Sequence, residues 1–190
     1  MAWRKAGTTT LSTQTDPINF TVTANKFNNI MLHGFQTNSS CSTQLNVDNS
    51  FSTNYASRYS HNGATDSTGT SQAFMTIGES TAHDRFQIIF CTNITSEEKL
   101  FIGFENCRNT AGAGTAPSRA EMVGKSTQSS QFTSVTPNLS GGTGEWESGT
   151  NVTVLGSDGT ETLNVQDGAI YYDTDLNKEY VLYNNTWTEL

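Results

Sequence analysis

The chain has 190 residues and a formal net charge of −8, and its ten basic residues are scattered rather than clustered. Nucleic-acid and anionic-membrane binders draw affinity from Lys and Arg massed against phosphates, so neither partner is expected. The hydrophobic fraction is 34% and the charged fraction only 15%; neutral Thr, Ser and Asn supply the polarity, which is not the high-charge composition of disordered chains and predicts an all-β protein with many short strands and polar turns.

The opening MAWRKAGTTTLS has no apolar run of the kind a secretory signal needs, so export by that route is not expected. Period-two alternation then appears repeatedly. NFTVT (19–23) sets Phe20 and Val22 on one face, and FNNIMLH (27–33) and TQLNV (43–47) are further candidate strands. RYSHNGATDSTGTSQ (58–72) reads as a turn-rich loop before a short strand at 73–77. RFQIIFCT (85–92) places Phe86, Ile88 and Phe90 on one side and Ile89 and Cys91 on the other. KLFIGFEN (99–106) groups Leu100, Ile102 and Phe104 against Phe101. Apolar residues on both faces predict strands in the middle of a sheet covered by a second layer. Between these two runs, Thr95-Ser96-Glu97-Glu98 has capping-box chemistry and room for about one helical turn. Loops are expected at 109–120 and 138–150, and strands at 130–136 and 151–155. The tail carries three short runs, AIYYD (169–173), EYVLY (179–183) and TWTEL (186–190). Asn184 and Asn185 tolerate the positive φ of a tight hairpin turn between the last two. The expected architecture is a two-sheet jelly-roll-like sandwich over residues 1–158, with a small three-strand C-terminal meander over 159–190. A meander this small needs a surface to lean on. Tyr171, Tyr172, Tyr180, Tyr183 and Trp187 are therefore candidate assembly or docking residues, since such side chains bury large areas while their polar ends stay hydrated.

Motifs for chemistry are sparse. VGKST (123–127) ends like a phosphate loop, but the required upstream Gly is Arg119 and a strand-like run follows. Asp173, Asp175 and Asn177 begin like a calcium loop, yet Lys178 replaces the sharp-turn Gly and Asn184 the closing Glu. His33, His61 and His83 match no zinc spacing. Glu145 and Glu147 flank Trp146 in a Gly-rich stretch that gives two carboxylates no fixed separation. No catalytic residues, metal or cofactor are expected. Cys41, Cys91 and Cys107 are odd in number and widely spaced, which favours buried free thiols, with one bridge left open.

WRKAGTTTLS, NYASRYSHNGATDST, CTNITSEEKLFIGFENC, AGAGTAPSRAEMVGKS and SGTNVTVLGSD, in that order, resemble uncharacterised β-rich virion surface proteins of tailed phages and viruses of aquatic microbes. The tail looks like the IYYDT…YVLYNNTW modules that end many phage fibre proteins. The resemblance implies a non-enzymatic tail-fibre, head-fibre or capsid-decoration protein made in the host cytoplasm and carried on the virion surface. Its implied partners are copies of itself and other virion proteins. The alternative is a lectin-like or adhesin module for a host surface glycan. For that role Asn54, Tyr55, Arg58, Tyr59, Asn62 and Trp146 are the candidate contacts, aromatic rings for stacking and polar groups for hydrogen bonds.

Overall fold

A computed structural model describes residues 3–36, 41–78, 80, 82–108, 110–140, 144–159, 168–184 and 186–190. The chain divides into two compact units, Trp3–Gly159 and the segment Thr160–Leu190. Among the described residues there are strands and no helix: β1 (Arg4–Thr10), β2 (Phe20–Thr21), β3 (Phe27–Gly34), β4 (Thr43–Val47), β5 (Tyr55–His61), β6 (Ser67–Gln72), β7 (Met75–Thr76), β8 (Arg85–Thr92), β9 (Lys99–Cys107), β10 (Ser118–Ser126), β11 (Ser134–Leu139) and β12 (Asn151–Ser157) in the first unit, and β13 (Ile170–Asp173), β14 (Lys178–Tyr183) and β15 (Thr186–Glu189) in the second.

The first unit is a two-sheet β-sandwich. One sheet has eight strands in the order β1-β12-β3-β8-β9-β10-β5-β6, the other four in the order β2-β11-β4-β7. Four antiparallel pairs are nested in the chain: β1 with β12, β2 with β11, β3 with β8, and β4 with β7. That is one long antiparallel ribbon rolled over on itself, the jelly-roll arrangement. The remaining strands are insertions. The β5–β6 hairpin enters between β4 and β7, the β9–β10 pair between β8 and β11, and together they double the width of one sheet.

Alternation along the strands sorts side chains to the core. Ile30 and Leu32 of β3, Leu45 and Val47 of β4, Ile89 of β8, Phe101 of β9 and Val152 and Val154 of β12 meet between the sheets. Burying each such residue stabilises the fold by about 1.5–3 kcal/mol. Strands β1, β5, β6 and β10 fall where the sequence reads as loop or as no clear element. Apart from Val123 of β10, their solvent faces are mostly Thr, Ser, Arg, Glu and Lys, so pairing with a neighbour is what marks them as strands. VGKST lies within and just past β10, with Val123 opposite Ile102, an extended conformation that forms no phosphate-binding loop.

The capping-box segment is a tight turn rather than a helical turn. Ser96 adopts φ 68°, and the Glu97 N–H donates to the Ile94 carbonyl at 3.3 Å. The Lys99 ammonium donates to the carbonyls of Ile94 and Glu97 in the turn and of Ser129 in a distant segment, which ties the turn down. Burial pulls this ammonium below its ordinary pKa, with Glu97 opposing. All three cysteines are free and buried, and burial pushes the Cys91 thiol up to about 12.

The second unit is a meander in the order β13-β14-β15. The Asp173 carboxylate accepts the N–H groups of Asp175 and Leu176, both at 3.0 Å, so it shapes the β13–β14 turn as Asx residues do. Asn177 and Asn184 both take positive φ; Asn185 lies outside the described residues.

Candidate functional site

The eight-stranded sheet has one face against the four-stranded layer and one face open. On β8 the inward residues are Arg85, Gln87, Ile89 and Cys91, and on β9 they are Lys99, Phe101, Gly103, Glu105 and Cys107. The more apolar side of both strands points outward. Phe86, Phe90, Leu100, Ile102, Phe104 and Val123 are each 43–56% exposed. The expected second layer is present, with four strands, and covers one side of the sheet.

Strand register sets these residues in rows across the open face. Asn29, Phe90, Ile102, Val123 and Arg58 form one row, and Met31, Ile88, Phe104, Glu121 and Ser60 the next. The patch is centred on β8, β9 and β10, so the inserted pair creates half of it. Monomers rarely leave contiguous apolar patches beyond a few hundred Å². Around it the charges are paired within the chain: Arg58 with Asp66 at 3.2 Å, Arg119 with Glu121 at 3.2 Å, and Lys125 with Glu98 at 2.8 Å.

Two shallow grooves lie on this face. One, of about 310 Å³, is lined by Arg58, Tyr59, Asp66, Ile102, Phe104 and Glu121 among others. The second, of about 500 Å³, runs between Gly69, Thr70, Leu100, Val123 and Lys125. Arg58 and Val123 border both.

The six sequence-predicted glycan contacts separate. Arg58 lines the first groove, whereas Tyr59, opposite the buried Met122, turns its ring inward and packs against the core. Asn62 sits at a turn with φ 50°, its side-chain oxygen accepting the Arg119 N–H at 3.0 Å. Asn54 donates to the Ser52 hydroxyl. Tyr55 and Trp146 are corrections, because both are core residues at 1% and 0% exposure and neither ring can stack on a ligand. The Tyr55 hydroxyl accepts the Val47 N–H at 3.0 Å and donates to the Val47 carbonyl at 3.2 Å, and burial raises its pKa. Trp146 bridges Thr15 and Gln36, and a Cβ on Gly34 would come within 2.6 Å of its ring. The sequence signal was present: in Glu145-Trp146-Glu147 the carboxylates alternate outward and the indole inward.

The five tail residues also separate. Tyr171 stacks on Tyr180 with centroids 5.1 Å apart, and Trp187 meets Tyr171 edge-on at 4.7 Å, which gives the meander a small aromatic core on one face. Tyr172 and Tyr183 alternate to the reverse face, where Ile170 and Val181 also lie.

Inside the sandwich lies a polar cluster that the sequence reading missed. Arg85 pairs with Glu105 at 3.3 Å with both side chains at 0% exposure, and Gln87 donates to the same carboxylate. Arg85 also bonds the Thr43 hydroxyl, and Gln87 the Ile77 carbonyl. Gly78 presses against it, with no room for a Cβ beside Glu105. Sealed in this way, the cluster binds sheet to sheet. At the sandwich edge, burial raises Asp16 to about 6, offset by the Leu139 N–H it accepts and reinforced by Glu145. No protein-family model, curated protein or solved structure matches the chain.

Proposed function

We propose that this chain is a non-enzymatic structural subunit of a virion surface, of the fibre, spike or capsid-decoration kind, which works by presenting and joining faces of a stiff sandwich. What supports the reading most is the open apolar face of the widened sheet, a surface without the convergent acid, base and nucleophile of a catalytic cleft. The sequence likeness to virion surface proteins and the aromatic meander agree with it. An antibody against the chain, applied to particles from cells that make it, is expected to label particle surfaces; label confined to soluble protein would end the virion assignment.

A second reading is favoured by one groove. Arg58, Asp66 and Glu121 line this groove with the exposed Phe104 ring, an aromatic platform edged by donors and acceptors that suits a saccharide. A glycan array blank at high avidity would remove it.

A further inference from the structure

We propose that the open face of the eight-stranded sheet is covered by the same face of a second copy, with a two-fold axis along the strands between β8 and β9. The inference rests on the self-associating part of the reading above and supplies its surface and geometry.

Size comes first. Eight strands spaced ~4.8 Å apart, with outward rows ~6.7 Å apart along them, make a face of about 700–800 Å². A stable interface takes about 800 Å² from each partner. The apolar residues sit at its centre and the ion pairs at its edge, as in protein–protein interfaces generally.

Charge selects the occupant. The chain is −8 overall, but on this face the three bases Arg58, Arg119 and Lys125 are matched by the three acids Asp66, Glu121 and Glu98, and Lys5 at the β1 edge adds one positive charge, so the face is close to neutral. Two copies meet here with little of the repulsion their net charge would otherwise bring, and a strongly anionic or cationic partner finds little field to follow.

The distribution of those charges selects the axis. The three pairs all lie on the β10–β5 half, while the β3–β12 half presents Asn29, Met31, Thr153 and Leu155, with His33 toward the end of β3 and Lys5 at the β1 edge. An axis along the strands between β8 and β9 turns the half of one copy that carries the three ion pairs onto the half of the other that carries none on this face. It keeps each row facing itself, so Phe90 lies over the second copy's Ile102, and Ile88 over its Phe104. An axis across the strands would instead set Lys125 over Arg119, two like charges at opposite ends of β10.

The test is the mass of the full chain by sedimentation, with variants Phe90→Asp and Ile102→Lys. Both side chains are exposed, so each variant is expected to keep the parent circular dichroism and to melt cooperatively, near the temperature the parent approaches on dilution. The parent is expected at twice the chain mass and each variant at the single-chain mass. An equimolar mixture of the two variants is expected at twice the mass again, because the carboxylate introduced in one copy then meets the ammonium introduced in the other. A parent that stays single at every concentration overturns the proposal, as does one that stays single and floats with phosphatidylcholine vesicles, which gives the face to lipid. An oligomer that survives both substitutions overturns this face as the interface while leaving self-association standing. Failure of the mixture to pair overturns the axis. Particle labelling is read separately, so the virion assignment and the dimer stand or fall apart.

Discussion

The two faces of β8 and β9 invert the usual order of a protein. Their inner face holds Arg85, Gln87, Lys99 and Glu105 among the core residues, and their outer face holds Phe86, Phe90, Ile102 and Phe104 in the open. Transfer free energy alone would turn each strand over. The inner polar groups are tolerated because they partner one another: the guanidinium and the amide share one carboxylate, and the ammonium is ringed by carbonyls. The outer apolar groups have no such compensation among the described residues of the first unit. A polar residue inside is thus explained by its partners, whereas the apolar patch outside is what the proposed second copy would cover.

The sharpest way to break the inner face is Glu105→Ala. It leaves the Arg85 charge buried without its carboxylate and is expected to cost about 3–5 kcal/mol, read from urea unfolding. A loss below ~1 kcal/mol would mean water reaches the cluster. Next comes a pair on one strand, in the Ile102→Lys background so that association does not intervene. Phe101→Ala is expected to cost about 3–5 kcal/mol, and Phe104→Ala no more than about 0.5 kcal/mol. Equal costs would mean that the outward ring is already packed.

In the meander, Tyr171→Ala removes a stack and an edge contact together worth about 0.5–1.5 kcal/mol. The Leu182 amide, bonded to the Ala169 carbonyl, is then expected to exchange hydrogen several-fold to roughly tenfold faster.

The smallest effect is a pH slope. Asp16 rises from 3.8 to about 6 on folding, so the native state holds the proton more tightly than the unfolded chain. Its stabilising contribution is complete below the unfolded value and is lost as pH rises through the folded one. Asp16→Asn keeps a neutral acceptor for the Leu139 N–H and is expected to flatten the melting-temperature profile over that window. Parallel profiles for parent and variant would place the slope elsewhere.

Much of the framework was legible. The apolar alternation at 27–33, 43–47, 85–92, 99–106 and 151–155 marks β3, β4, β8, β9 and β12, and the polar β-rich composition marks the fold class. The strands that read as loops, β5, β6 and the start of β10, were not legible because they carry little apolar rhythm of their own. They exist as strands because β9 offers β10 an edge, and β10 offers one to β5. For the same reason Tyr55 and Trp146 looked like loop aromatics, although distant segments close over them.

By itself, then, the sequence settled that this chain would be all strand, where its strongest strands and several of its turns fall, and which side chains share a face. Period two is symmetric, however: it divides a strand's residues into two sets without saying which set is inside. That choice was made in three dimensions, where a four-stranded layer covers one side of an eight-stranded sheet, and where Arg85 finds Glu105 across the ladder. Partners brought together by long-range pairing, and not the polarity of the residues alone, decided which face of β8 and β9 was left to the solvent.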